Sequence, residues 1–298
     1  MIVERKKSPA RITFNIFNAA FFIFVCFVCV APLWHVVCAS FSDAGYVMQN
    51  SGLIWRIRGF NVKGYQMVFS NIMIWKGYMN TFIYVGAGTV LSMLVTVMVG
   101  YAVSRRDTLW GNAIMFFMTI TMMFNGGMIA SYIVNTQIFH LYNSRWAMVL
   151  PVLFNPMNII MVRTAIMGIP SSMEESASID GASRMKILFK IIIPLIKPTI
   201  ATLVLFAVLM QWNSWFNAAI YLRDRELYPL QLILKEILVT NESSSTTANS
   251  ANYAADAVMY KQLVKYCIIV VSTAPILAFF PFLQKYFEKG VMVGAIKG

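Results

Sequence analysis

The sequence predicts an all-α membrane protein with about six transmembrane helices, and three observations carry that expectation. The 298 residues are 59% hydrophobic and only 12% charged, with a mean hydropathy of +0.67, whereas soluble domains carry roughly 25% charged residues. Charge-free runs occupy 12–42, 77–104, 108–144, 146–162, 198–222 and 266–284, and a bilayer-crossing helix needs roughly 17–25 mostly apolar residues. These runs lack the strict alternation of barrel strands, and hydrocarbon offers no water to unpaired backbone groups, so they must be helical. A soluble globular enzyme is excluded.

The first span is expected over about 13–38. It is too long for the apolar region of a signal peptide, and no small residue precedes Cys38 as a lipoprotein signal requires. A segment from Phe41 to Lys76 follows, with Trp55, Tyr65 and Trp75 suited to a membrane interface. Span two, about 78–103, carries Gly86, Gly88, Ser92 and Gly100, small residues that let helices approach closely. Span three, about 111–133, is interrupted by Asn125-Gly126-Gly127 and should break or kink there. Span four, about 147–167, contains Pro151, Asn155, Pro156, Asn158 and Arg163, a costly set against lipid, and so should face other helices or a polar path. Span five, about 199–221, is apolar up to Gln211-Trp212-Asn213-Ser214-Trp215-Phe216-Asn217. A loop over 223–263 follows, with helical spacing from Leu230 to Leu238 and a Ser/Asn-rich tip at 241–250. Span six is expected at about 264–284, with a basic tail over 285–298.

The 24 basic residues exceed the 12 acidic ones by a formal charge of +12. They gather at span ends, where they reach headgroups and set orientation, so nucleic acid is not implied. With the N-terminus inside, thirteen basic residues face the cytoplasm and ten face out, and the opening Arg5–Lys7 cluster fixes both termini as cytoplasmic. Arg163 sits about one turn from the inner end of span four, within reach of headgroups. Cys26-x-x-Cys29 lies mid-span without a second pair, and His35 and His140 are isolated, so no metal site is expected.

The stretch from Pro170 to Pro198 is polar and dense in signals. Serines before Glu174-Glu175 read as an N-cap, acids in a first turn suit the helix dipole, and Gly181 can end the helix by taking positive φ. Arg184 to Ile193 offers a second short helix before Pro194 and Pro198 turn the chain into span five. A rigid helix pair joined directly to spans four and five can transmit force. Glu175-Ser176-Ala177-x-x-Asp180-Gly181-Ala182, followed by Ile193-Pro194, resembles the EAA loop of permease subunits of bacterial ABC importers. Gln211-Trp212-Asn213-x-Trp215 and the terminal Gly290 to Gly298 resemble the carbohydrate branch of that family, which includes permeases for maltose, complex oligosaccharides and alginate fragments. Ser176 departs from the usual alanine but is small enough for the same cleft.

The resemblance implies the type I ABC importer permease fold, with coupling helices in the cytoplasm and the helix around Glu174–Ile179 docked in a groove of a separate ATPase. Its implied coupling residues are Glu174, Glu175, Ala177, Asp180, Gly181 and Pro194. The implied partners are a second, homologous permease, two ATP-binding subunits that hold ATP and magnesium, and a soluble periplasmic or extracellular sugar-binding protein. The chain has no GxxxxGK[ST] phosphate cradle and no catalytic triad or HExxH, so it is expected neither to hold ATP nor to be an enzyme, and to bind no cofactor. Its spans hold almost no acids for a proton relay.

The substrate path is expected along Gln211, Trp212, Asn213, Trp215 and Asn217, with Asn125 and Asn158. Amides can bond sugar hydroxyls and indoles can cover apolar sugar faces, while the same side chains also serve interhelical packing. The outward loops carry four more positive than negative charges, a hint of an acidic glycan such as alginate or another uronate polymer. An importer permease for amino acids or peptides would share the EAA logic, and a membrane-embedded transferase would need a catalytic set.

Overall fold

The computed structural model describes residues 9–50, 52–105, 107–124, 126–243 and 253–295, without the side chains of 240–243, 253–259 and 282–295. In chain order the helices are α1 (Pro9–Ser40), α2 (Ala44–Gln49), α3 (Lys63–Ser70), α4 (Ile72–Ser104), α5 (Gly111–Met123), α6 (Gly127–Ile133) and α7 (Pro156–Met167). They continue with α8 (Ser171–Ile179), α9 (Arg184–Ile187), α10 (Ile193–Leu195), α11 (Lys197–Trp212), α12 (Trp215–Tyr221), α13 (Leu230–Ser243) and α14 (Tyr253–Ala295). Among the described residues there is no strand. Among the described residues three stretches are long and apolar enough to cross a bilayer by themselves, namely α1, α4 and Tyr260–Pro281 of α14; counting bent helix pairs as single spans brings the number to as many as six.

Residues up to 70 and 238–273 form one compact unit, and 71–237 with 274 onward form the other. In the first, α1 exposes Phe14, Phe17, Phe21, Phe24 and Phe27 along most of its length, as a lipid-facing helix must, and buries only Cys38, Ala39 and Ser40 at its end. Backbone bonds from Asp43 N–H to Arg58 O and from Asn61 N–H to Phe41 O close the loop that follows. The Ile54 amide donates to His35 Nδ1 at 2.8 Å and the Trp34 indole donates to Trp55 O at 3.0 Å. The 52–62 segment is therefore tied down in part by His35, which the sequence offered only as isolated.

In the second unit α4 is the helix that α7 and α11 pack against. Its small residues do different jobs. A Cβ on Gly88 would stand 2.7 Å from Gln211 Nε2, and one on Gly100 would stand 2.7 Å from Val162 Cγ1, so both mark close helix crossings, whereas Gly86 has nothing within 4 Å. Met93, Val97 and Tyr101 of α4, Val162 and Ile166 of α7, Ile187, Leu188, Ile192 and Ile196 before α11, and Leu203 of α11 form one buried cluster.

Several expected spans are subdivided. The run at 147–167 is two short 3-10 turns, Arg145–Met148 and Leu150–Val152, followed by α7; Asn155 accepts the Asn158 amide and Pro156 occupies the first turn, a strong helix start inside the expected span. The run at 199–221 is broken between α11 and α12, because the Asn213 amide donates back to Leu209 O at 2.9 Å and the Ser214 hydroxyl donates to Gln211 O at 2.7 Å, competing with the helix ladder. The break expected near Asn125-Gly126-Gly127 is present: α5 ends at Met123 and α6 begins at Gly127, which holds φ +79°. The expected tail at 285–298 is helical through Ala295 as part of α14.

Candidate functional site

The most structured polar region lies at the α4 C-terminus and over 168–196. Pro170, with φ −58° and ψ 130°, takes the N-cap position of α8, and Met173 N–H bonds Pro170 O at 3.2 Å. The serine cap expected from the sequence is corrected here: proline fixes an extended residue and the helix begins at Ser171 without a side-chain cap. Glu174 remains in the first turn, where a carboxylate suits the helix dipole.

The other end of α8 explains the residue spacing. Gly181 holds φ +78° and donates to Ser178 O at 3.1 Å, and Ala182 N–H donates to Ala177 O at 3.0 Å. This is a Schellman motif, in which a left-handed glycine lets two amides fold back on the last carbonyls. Ala177 and Ala182 both pack on the buried cluster between α4, α7 and α11, which roots the motif in the core. Ala177 and Gly181 thus build the knuckle, while Glu175, Ile179 and Asp180 are exposed on it, Ile179 at 86%. Ser183 then caps α9, the turn at Leu188–Ile192 widens to π geometry with the Ile193 amide reaching back to Leu188 O, and Pro194 follows with no N–H to give. The chain bends by 81° between Arg184–Leu195 and Lys197–Trp212, as Pro194 and Pro198 foretell.

Glu174 is half-buried and faces the protein. Its Oε2 lies 3.3 Å from Arg105 Nη1; the same guanidinium grips Asp107 at 2.9 Å, and Asp107 accepts from Arg184 Nη2 at 2.8 Å. Hydrogen bonds from Arg105, then the charges of Arg105 and Arg184, hold the Asp107 carboxyl below its ordinary value. Ser104, Arg105, Asp107, Ile169, Pro170 and the α8 residues Glu174, Glu175 and Ser178 are among those bordering a groove of about 670 Å³. Arg105 and Arg184 counted in the sequence only among the thirteen cytoplasmic basic residues and Asp107 not at all; the Arg-x-Asp pair directly after an apolar run was the available signal. Arg163 is a correction. Its Nε donates to Val103 O at 3.1 Å, capping the end of α4 in place of reaching for headgroups.

The residues expected along a substrate path separate into two sets. Gln211 and Trp212 are buried, the amide bonded to Met148 O and the indole edge-on to Phe82 at 5.8 Å between centroids. The Lys235 ammonium covers one face of Trp215 at 3.1 Å from its centroid, so that indole face is occupied. Asn213 and Asn217 are exposed on either side of the α11–α12 break. Asn158, half-buried, shares a cavity of about 310 Å³ with Gln211, Thr89, Ser92 and Asn155. Asn125 lies outside the described residues.

At the opposite end of α4, Asn80 donates to Glu226 O and Tyr228 O, the Tyr84 hydroxyl donates to Leu227 O at 2.7 Å, and Lys76 pairs with Glu226. These bonds pin the 222–230 loop across the head of α4, a connection the sequence did not display.

Comparison with known proteins matches this arrangement. The model of the "Binding-protein-dependent transport system inner membrane component" family covers residues 92–222, from within α4 to the end of α12 and including the whole knuckle. The polygalacturonan/rhamnogalacturonan transport system permease protein YtcP of Bacillus subtilis is 34% identical over 96% of this chain and 98% of its own length. The arabinooligosaccharides transport system permease protein AraQ of Halalkalibacterium halodurans is 27% identical over 93% of this chain and 94% of its own. A chain from the crystal structure of a bacterial ABC transporter that imports the acidic polysaccharide alginate superposes with a TM-score of 0.83 at 30% identity, over 95% of this chain and 99% of that one. With the knuckle, the bent helices and these full-length matches together, the chain belongs to the inner membrane components of binding-protein-dependent transport systems.

Proposed function

We propose that this chain is the transmembrane subunit of an ABC importer that passes an oligosaccharide across the cytoplasmic membrane, delivered by a soluble sugar-binding protein. The observation that carries the reading is the α8 knuckle: Glu175, Ile179 and Asp180 are exposed while Ala177 and Ala182 anchor the same helix in the core. A surface that is both presented and rigidly rooted is what a force-transmitting contact needs, since a load on a mobile loop would be spent reordering the loop.

In this reading two ATP-binding subunits supply ATP and magnesium chemistry, Glu175 and Asp180 meet the groove of one of them, and a second related permease completes the passage. Both termini and the knuckle lie in the cytoplasm, and the 223–263 loop faces the binding protein. ATP-driven closure displaces the knuckle, and the short joint at 168–170 passes that displacement to α7 while the joints at Gly181 and Ile196 pass it to α11. This reading assigns sugar hydroxyls to the amides of Asn213 and Asn217, which are exposed, and of Asn158 and Gln211, which border one cavity. An acidic cargo is favoured by the outward excess of positive charge and by relatives whose names specify polygalacturonan and alginate.

The test reverses one charge. Glu175→Lys at normal expression should abolish oligosaccharide uptake and co-purification of the ATP-binding subunits; uptake at the wild-type rate would end the proposal.

A further inference from the structure

The end of α4 is fixed from three directions. Thr108 Oγ1 donates to Ala102 O at 2.7 Å, Arg163 Nε from α7 donates to Val103 O at 3.1 Å, and Ser104 Oγ donates to Tyr101 O at 2.8 Å. The next residue, Arg105, projects from this fixed end and uses its whole guanidinium fork. Nε and Nη2 take the two oxygens of Asp107 at 2.9 and 3.3 Å, and Nη1 takes the Tyr101 hydroxyl at 2.9 Å and Glu174 Oε2 at 3.3 Å. The guanidinium also lies 5.6 Å from the centroid of the Tyr101 ring. Asp107 continues the chain of charges to Arg184 at the start of α9.

We infer that Arg105 is a positioning residue that carries displacement of the knuckle to α4, and that Glu174 is its inward counter-ion and not a contact for the ATP-binding subunit. The inference rests on the importer reading. The knuckle has covalent routes into the membrane part through 168–170 to α7 and through α9 and α10 to α11. Neither route reaches α4 directly. Glu174–Arg105 does, and its side chains are only 25% and 21% exposed, so solvent screens the pair less than it would a fully exposed one. The same contact leaves Glu175, exposed at the rim of the same groove, as the carboxylate open to a partner, and so divides two adjacent acids between an internal joint and an external one. A lysine at 105 could not replace the arginine, because one ammonium cannot hold Asp107 through two atoms while also reaching Tyr101 and Glu174.

The test uses the complete importer reconstituted in vesicles with its sugar-loaded binding protein. For Glu174→Gln, which keeps the side-chain volume, and for Arg105→Gln and Arg105→Lys, the ATP-binding subunits should co-purify at wild-type yield. The stimulation of ATP hydrolysis by loaded binding protein should fall about tenfold, in the range typical of a coupling free energy, with uptake falling in parallel. Glu174→Gln is the decisive variant should the arginine changes impair folding. Loss of the ATP-binding subunits on Glu174→Gln would overturn the inference by placing Glu174 at the partner, and unchanged stimulation would overturn it by making the pair incidental. If Glu175→Lys blocks uptake while Glu174→Gln behaves as wild type, the importer reading stands and this inference alone falls; if no ATP-binding subunit accompanies the wild-type chain, both fall.

Discussion

A Cβ on Gly100 would stand 2.7 Å from Cγ1 of Val162, a side chain with no exposed surface and a β-branched one with little rotamer freedom. The helices α4 and α7 cross there at backbone contact. Gly100→Ala should therefore push them apart and cost about 1–3 kcal/mol, the usual range for overpacking. Gly86→Ala, which meets nothing within 4 Å, should leave stability unchanged or slightly raised. Thermal unfolding of the detergent-solubilised protein separates the two, and equal effects would mean that the crossing is looser than the geometry says.

Gly181→Ala should cost about 1–2 kcal/mol, because an alanine at φ +78° pays the left-handed penalty, although open space surrounds the site. Gly181→Asn should cost less, since asparagine visits that region more readily. Proteolytic susceptibility of the 180–184 segment would register the fraying. Equal protection in both variants would show that the Ala182–Ala177 bond does not depend on the glycine.

Trp212→Phe should retain uptake and stability, and Trp212→Ala should lose about 3–5 kcal/mol through the cavity it opens beside Phe82. The indole Nε1 has no acceptor among the described residues, so phenylalanine sacrifices no hydrogen bond. Comparing transport with stability tells packing from sugar contact: a stable Trp212→Phe protein that cannot transport would return the indole to the substrate path.

Asp107 sets a pH dependence whose direction follows from its partners. Its folded-state carboxyl titrates below the unfolded value because Arg105 and Arg184 hold the ionised form. The stabilisation is complete above the unfolded carboxyl value, about 3.9, and is lost as pH falls through the folded one. Wild type should exceed Asp107→Asn in unfolding temperature at pH 7, and the gap should close toward the acid end of a titration to pH 3. A gap that persists unchanged through pH 3 would assign the effect to packing.

How much could be read from the chain depends on whether the signal was local. Gly181 after a helical run, and two prolines before a span, are local chemistry, and the left-handed turn and the sharp bend stand where those residues put them. The cap at Ser171 failed because the proline one residue earlier already fixed an extended conformation, a competition between neighbours that a cap pattern ignores. The break at Asn213–Ser214 was hidden because counting apolar residues cannot see side chains bonding carbonyls one turn back. Arg163 was misread, and the inward pairing of Glu174 was not visible, for a different reason. Each finds its partner more than fifty positions away, at Val103 and Arg105, and spacing along one chain says nothing about which span ends meet.

The wide turn at Leu188–Ile192 holds one residue more than an ordinary helical turn of the same height. Shortening the chain by a single position within it would convert it to regular helix and leave the faces before and after almost where they were. An equal deletion inside α8 would instead rotate everything beyond it by about 100°. The segment joining the knuckle to α11 therefore has slack in its length that the knuckle itself lacks, so changes in chain length should be tolerated at 188–192 and rejected at 171–179.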